Sequence, residues 1–120
     1  MIDKREIELA IAAHNVWKTR LKQLIEAGER SEDVDSLRRD DLCTFGKWLN
    51  TLEDDDCVSP EYLAVRQLHA DFHQAAAAVA EHAVAGDLTT ASYMLFPDGA
   101  YSIASTKLVN ALNAWHAKLP

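Results

Sequence analysis

The sequence predicts an all-α fold: an antiparallel four-helix bundle with one short helix and a last arm interrupted by a turn. Three observations predict it. Apolar residues recur at spacings of three and four over long stretches. Alanine is abundant, whereas the 120 residues include only four glycines and three prolines. No stretch alternates apolar and polar residues at period two, as a half-buried strand would.

The elements follow in order. Ile7, Ala10, His14, Trp17, Leu21 and Leu24 form one stripe, which predicts a first helix over residues 3–27 with Gly28 as its stop. Residues 29–35 are polar and rich in acids, and read as a loop. A shorter second helix fits residues 37–52, with Ser36 as N-cap and Leu42, Phe45, Trp48, Leu49 and Leu52 as its apolar members. The acids of residues 53–56 read as a solvated turn. Ser59-Pro60-Glu61 then marks a helix start: a capping hydroxyl, a proline at the first helical position and an acid in the first turn. The stripe Tyr62, Val65, His69, Phe72, Ala76, Val79 and Ala83 carries that third helix to about Gly86. Asp87 caps a further helix through Leu88, Ala91 and Leu95, which Pro97-Asp98-Gly99 breaks. The last helix carries Ile103, Ala104, Leu108, Ala111, Leu112 and Trp115. With no repeat, linker or low-complexity tract, residues 1–120 read as a single domain.

Composition narrows the function. A formal net charge of -7 argues against nucleic acid and anionic membranes as partners, since both attract Lys and Arg. No apolar run is long enough to span a bilayer, and the charged N-terminus lacks the core of a signal peptide. The expectation is a cytoplasmic protein, where Cys43 and Cys57 stay reduced. No Gly-rich phosphate loop, nucleophile elbow or paired-acid motif points to an enzyme.

The chemistry-bearing residues converge on a metal. His69 and His73 stand four apart, one turn along a single helical face, so both rings can reach one ion. Two half-buried histidines at a helix surface would look the same. His14 and His69, however, both occupy the buried stripes of their own helices. A lone core histidine is usually satisfied by packing and hydrogen bonds, but two imidazoles directed into one core need a shared partner. Cys43 is the fourth candidate, although a free cysteine is also a common small core residue. Three imidazoles and a thiolate would complete a closed tetrahedral shell and favour zinc over calcium, magnesium or manganese. Cys57 follows a run of acids that disfavours its thiolate, and His82 and His116 lack a partner at helical spacing.

The segments Ala13-His14-Asn15-Val16-Trp17-Lys18, Leu42-Cys43-Thr44-Phe45-Gly46-Lys47-Trp48-Leu49 and His69-Ala70-Asp71-Phe72-His73 resemble the chemoreceptor zinc-binding (CZB) domain family. The resemblance covers nearly the whole chain, through Gly86-Asp87-Leu88 and Leu108 to Leu112. It implies zinc held by His14, Cys43, His69 and His73. It also implies a sensor of zinc, or of oxidants such as hypochlorous acid through Cys43. The implied partner is a bacterial signalling protein, such as a chemoreceptor or diguanylate cyclase, in cis or in trans. A homodimer through the first and last helices is a further expectation.

Two more expectations complete the reading. Asp40, three residues before Cys43, could orient a ligating ring, or be a solvated acid near a helix start. Phe45 and Trp48, with Trp17, would carry a change at the site to a partner surface as the short helix moves. Two alternatives compete. A hemerythrin-like or ferritin-like di-iron bundle needs core carboxylates such as Glu-x-x-His, and no histidine here has an acid three residues before it. A metal-free helical interaction module leaves the two inward histidines unexplained.

Overall fold

In the computed structural model, which describes residues 2–27, 34–41 and 43–119, every element is helical. They are α1 (Lys4–Ala27), α2 (Val34–Arg38), α3 (Thr44–Leu49), a single 3-10 turn (Asp54–Cys57), α4 (Pro60–Val84), α5 (Leu88–Met94) and α6 (Ala100–Lys118). The expected Gly28 stop and most of the expected loop lie outside the described residues. Val34 and Asp35, the last two residues expected in that loop, already belong to α2.

The arms run up, down, up and down. The start of α1 meets the end of α6, where Glu8 and His116 are 2.8 Å apart. The start of α4 meets that same end through Tyr62 and Trp115, whose rings lie 6.0 Å apart. Farther along, Phe72 of α4 meets Tyr101 at the start of α6 at 5.5 Å. Thus α6 is antiparallel to both α1 and α4. The arm formed by α2 and α3 also runs against α4: Arg38 pairs with Glu81 at 2.8 Å, and Asn50 meets Arg66 at 3.4 Å. The α5–α6 arm is interrupted between Leu95 and Gly99, as the Pro-Asp-Gly run predicts.

The second arm departs from expectation. One helix over residues 37–52 is in fact α2 and α3, separated by a turn at Asp40 and Asp41. Ser36 is not an N-cap, because it lies inside α2. Instead, Cys43 caps α3: its backbone is extended, and Gly46 N–H donates to Sγ at 3.3 Å. Leu42 lies outside the described residues. The acidic stretch expected as a solvated turn coils into the 3-10 turn.

The other caps agree with the reading. Ser59 accepts from Tyr62 N–H at 3.1 Å, and Asp87 accepts from Thr90 N–H at 3.2 Å. Gly86 takes a positive φ of 86°, the left-handed conformation that ends α4 at low steric cost. The core holds Ile7, Leu21, Val65, Phe72, Leu108, Leu112 and Trp115, all at most 2% exposed. Two expected stripe members face out, because their arm turns them away from the core: Leu88 is 43% exposed and Ile103 44%. Trp17 is half-buried, with the Arg20 guanidinium 4.1 Å over its ring.

Candidate metal centre

Three long-range placements bring the polar core residues together. The stripe of α1 buries His14, and that of α4 buries His69 and His73; none is more than 3% exposed. The turn between α2 and α3 delivers Cys43, half-buried, to the same point. One donor atom from each of the four lies within 4.8 Å of the other three. Sγ of Cys43 is 3.2 Å from Nε2 of His69, which is 3.1 Å from Nε2 of His73. A tetrahedral zinc shell of nitrogen and sulfur donors sets neighbouring donors about 3.3 to 3.7 Å apart, so the cluster has the required size.

The hydrogen bonds orient the rings for such a role. His14 Nδ1–H donates to the Ala10 carbonyl at 2.6 Å, and His73 Nδ1–H to the Leu37 carbonyl at 2.9 Å. Both bonds settle the tautomer and leave the Nε2 lone pairs facing the cluster. His69 differs. Its Nδ1 is buried without a hydrogen-bond partner among the described residues, and the nearest carboxylate, Asp40 Oδ2, is 4.0 Å away. Asp40 was expected either to orient one of the ligating rings from a shared helical face or to be a solvated acid; it stands in a turn, and its carboxylate lies beyond hydrogen-bond distance of His69.

Electrostatics prepare the donors. Burial pushes the pKa of all three histidines below the ordinary 6.5, and that of His69 to about 2, helped by the charges that His73, His14 and Arg66 would place beside it. The rings are thus neutral, with lone pairs to offer, at physiological pH. Burial instead pushes the Cys43 thiol up, against the pull of the Gly46 and Phe45 N–H groups. Its protonated sulfur donates to the Asp40 carbonyl at 3.7 Å. Only a cation at the cluster would reverse that preference and hold a thiolate.

Aromatic rings wall the site. Phe72 and Phe45 pack edge-on to His14 at 4.9 and 5.9 Å, and Phe45 meets His69 at 5.1 Å. Phe45 then stacks on Trp48 at 5.7 Å, and Trp48 lies 6.0 Å from Trp115. Trp17 has no place among these contacts.

Gly46 contributes in a way the sequence did not disclose. A Cβ there would collide with the carbonyl of Asp40, so only glycine lets the turn fold back onto α3. The signal was present as the Cys-x-x-Gly spacing, but not its cause. Cys57 stays outside the cluster, its sulfur facing the Leu52 carbonyl at 3.6 Å. His82 and His116 sit near Asp87 and Glu8, at the surface. Among the described residues no carboxylate joins the cluster, which removes the donor set a di-iron bundle requires.

The model of the chemoreceptor zinc-binding domain matches residues 14–80, a span that begins at His14 and contains the other three donors. The chain belongs to the CZB family. The match is narrower than the resemblance suggested, since it leaves out residues 4–13 of the first helix and the whole α5–α6 arm. No curated protein and no solved structure matches at a significant level. CZB membership and the three-histidine, one-cysteine cluster together support zinc binding and a sensory role in signalling. Among the described residues no helix is long and apolar enough to cross a membrane.

Proposed function

We propose that His14, Cys43, His69 and His73 hold one zinc ion, and that the chain is a single sensory domain reporting zinc or an oxidant through Cys43. The observation that carries this reading is the meeting of four soft or borderline donors, from three stretches of chain, within 4.8 Å in a buried core. Bound there, the cation would keep the sulfur as a thiolate and share its charge. The shell is closed by protein donors, so no position remains for a substrate and the function is binding, not catalysis.

Cys43 has two jobs: it is a donor and it caps α3. Hypochlorous acid would oxidise its thiolate by two electrons. A sulfur–oxygen bond forms, the oxygen–chlorine bond breaks, and chloride leaves, giving a sulfenic acid. That sulfur is a poorer donor and a poorer acceptor for Gly46 N–H. A helix as short as α3 is marginal on its own, so losing both interactions at its N-cap frees it to move. Phe45 and Trp48, which lie on α3, would shift with it and disturb Trp115. The output is a cytoplasmic signalling protein, such as a bacterial chemoreceptor or diguanylate cyclase, in cis or in trans; a homodimer through α1 and α6 would suit such an assembly.

The test is stoichiometric hypochlorous acid on the zinc-loaded protein. The expected result is zinc release with a change in tryptophan fluorescence, both abolished in Cys43→Ala and retained in Cys57→Ala. Unchanged zinc content and fluorescence in the wild type would refute the oxidant reading.

A further inference from the structure

A second feature lies away from the cluster, on the face shared by α1 and α5. Phe96 and Tyr93 are 53% and 57% exposed, and their rings pair at 5.7 Å. Phe96 stands between two grooves. One, of about 340 Å³, is walled by Lys18, Lys22 and Ile25 of α1 and by Leu95, Phe96 and Pro97. The other, of about 400 Å³, runs along Leu88, Ser92, Tyr93 and Phe96. The strip is apolar along its floor and basic along one edge. Among the described residues its one acid is Glu26, at the far end of that edge.

The edge is notable because the whole chain carries a net charge of -7. Lys18 and Lys22, both exposed, have no ion-pair partner among the described residues. The floor is also preorganised. Ser102 Oγ–H donates to the Leu95 carbonyl at 2.9 Å, and Gly99 N–H donates to the Phe96 carbonyl at 2.7 Å. A Cβ at Gly99 would collide with the carbonyls of Tyr93 and Met94, so the turn that presents Phe96 is tightly packed. Rigid exposed aromatics beside grooves are the usual anchors of a protein interface, since little side-chain freedom is lost on binding.

We propose that this strip docks an amphipathic, acidic segment of a partner protein, with its apolar side chains over Phe96 and its carboxylates on Lys18 and Lys22. Charge complementarity selects the occupant: the bulk field of an acidic protein repels such a segment, whereas Lys18 and Lys22 attract it at this edge. The inference does not depend on zinc, although His14 lies one turn before Lys18 on the same helix.

Two synthetic amphipathic helical peptides with identical apolar positions test it, one bearing glutamates on its polar face and the other lysines. The glutamate peptide should bind the full chain with an affinity that falls steeply with salt. Phe96→Ser should weaken it at least tenfold. Lys18→Glu with Lys22→Glu should reverse the preference toward the lysine peptide. Amide shifts in the α1 and α5 residues of the strip should accompany binding. No binding of the glutamate peptide, or equal binding of both peptides by the wild type, would overturn the proposal. So would binding to vesicles containing phosphatidylglycerol that Phe96→Ser abolishes, or self-association that the same change abolishes, because a membrane or a second copy would then own the strip.

Discussion

His14, His69 and His73 are neutral at physiological pH because the bundle buries them, and that has a consequence for the metal-free chain. An unfolded histidine takes up a proton below about pH 6.5. The folded histidines have depressed pKa values, and His69 refuses a proton down to about 2. Below pH 6.5 the unfolded state therefore binds more protons than the folded state, and stability falls as pH falls; above it the contribution is complete. Each ring can contribute up to about 1.4 kcal/mol per pH unit. Urea midpoints of metal-free protein should hold steady from pH 8 to 7 and drop between pH 6.5 and 5, less steeply in His69→Leu. A midpoint independent of pH would contradict the burial of these rings. At this scale much of the site was legible. His69 and His73 share a face by spacing alone, and His14 interrupts an apolar stripe in a way that asks for a partner. What spacing could not disclose was the carbonyl behind His73, because Leu37 and His73 are distant in sequence and meet only in the fold.

Between residues 37 and 52 local pattern and tertiary demand part company. Leu42, Phe45, Trp48, Leu49 and Leu52 recur at helical intervals, so periodicity reads one helix. The chain instead breaks at Asp40 and Asp41, restarts with Cys43 as its cap, and folds back over Gly46. A continuous helix would forgo the cap, and the break places the sulfur against His69. Nothing in the 3.6-residue period reports such a need. The long helices were readable because their caps are chemically explicit. Ser59 is the plainest case, and Ser59→Ala should cost about 1 kcal/mol, measured by urea denaturation. Zinc content should stay that of the wild type, because α4 remains held by its buried face. Loss of zinc in that variant would mean that the start of α4 governs the cluster, against this account. Cys43 caps a helix too, but there the cap and the donor are one atom.

For the molecule as a whole, three of the four arms supply donors and the fourth packs over them. The row of rings from His69 through Phe45 and Trp48 to Trp115 connects the buried cluster to the end where α1 begins and α6 finishes. That route is a packing path, and the hypochlorous acid experiment reads it directly. Metal binding of this kind adds to fold stability, with structural zinc worth on the order of 10 kcal/mol of apparent binding energy, comparable to the whole stability of a small domain. Up-down-up-down topology was foreseeable from the number and length of the amphipathic stretches. The outward turn of Leu88 and Ile103 was not, because it depends on how the interrupted arm sits over α4. The most direct test is elemental analysis of protein purified without added metal. The account predicts about one zinc per chain and no iron in the wild type, with most of it lost on gentle dialysis against a weak chelator in Cys43→Ala and in His69→Ala. A wild-type chain that carries no zinc, or variants that retain it as firmly as the wild type, would contradict it.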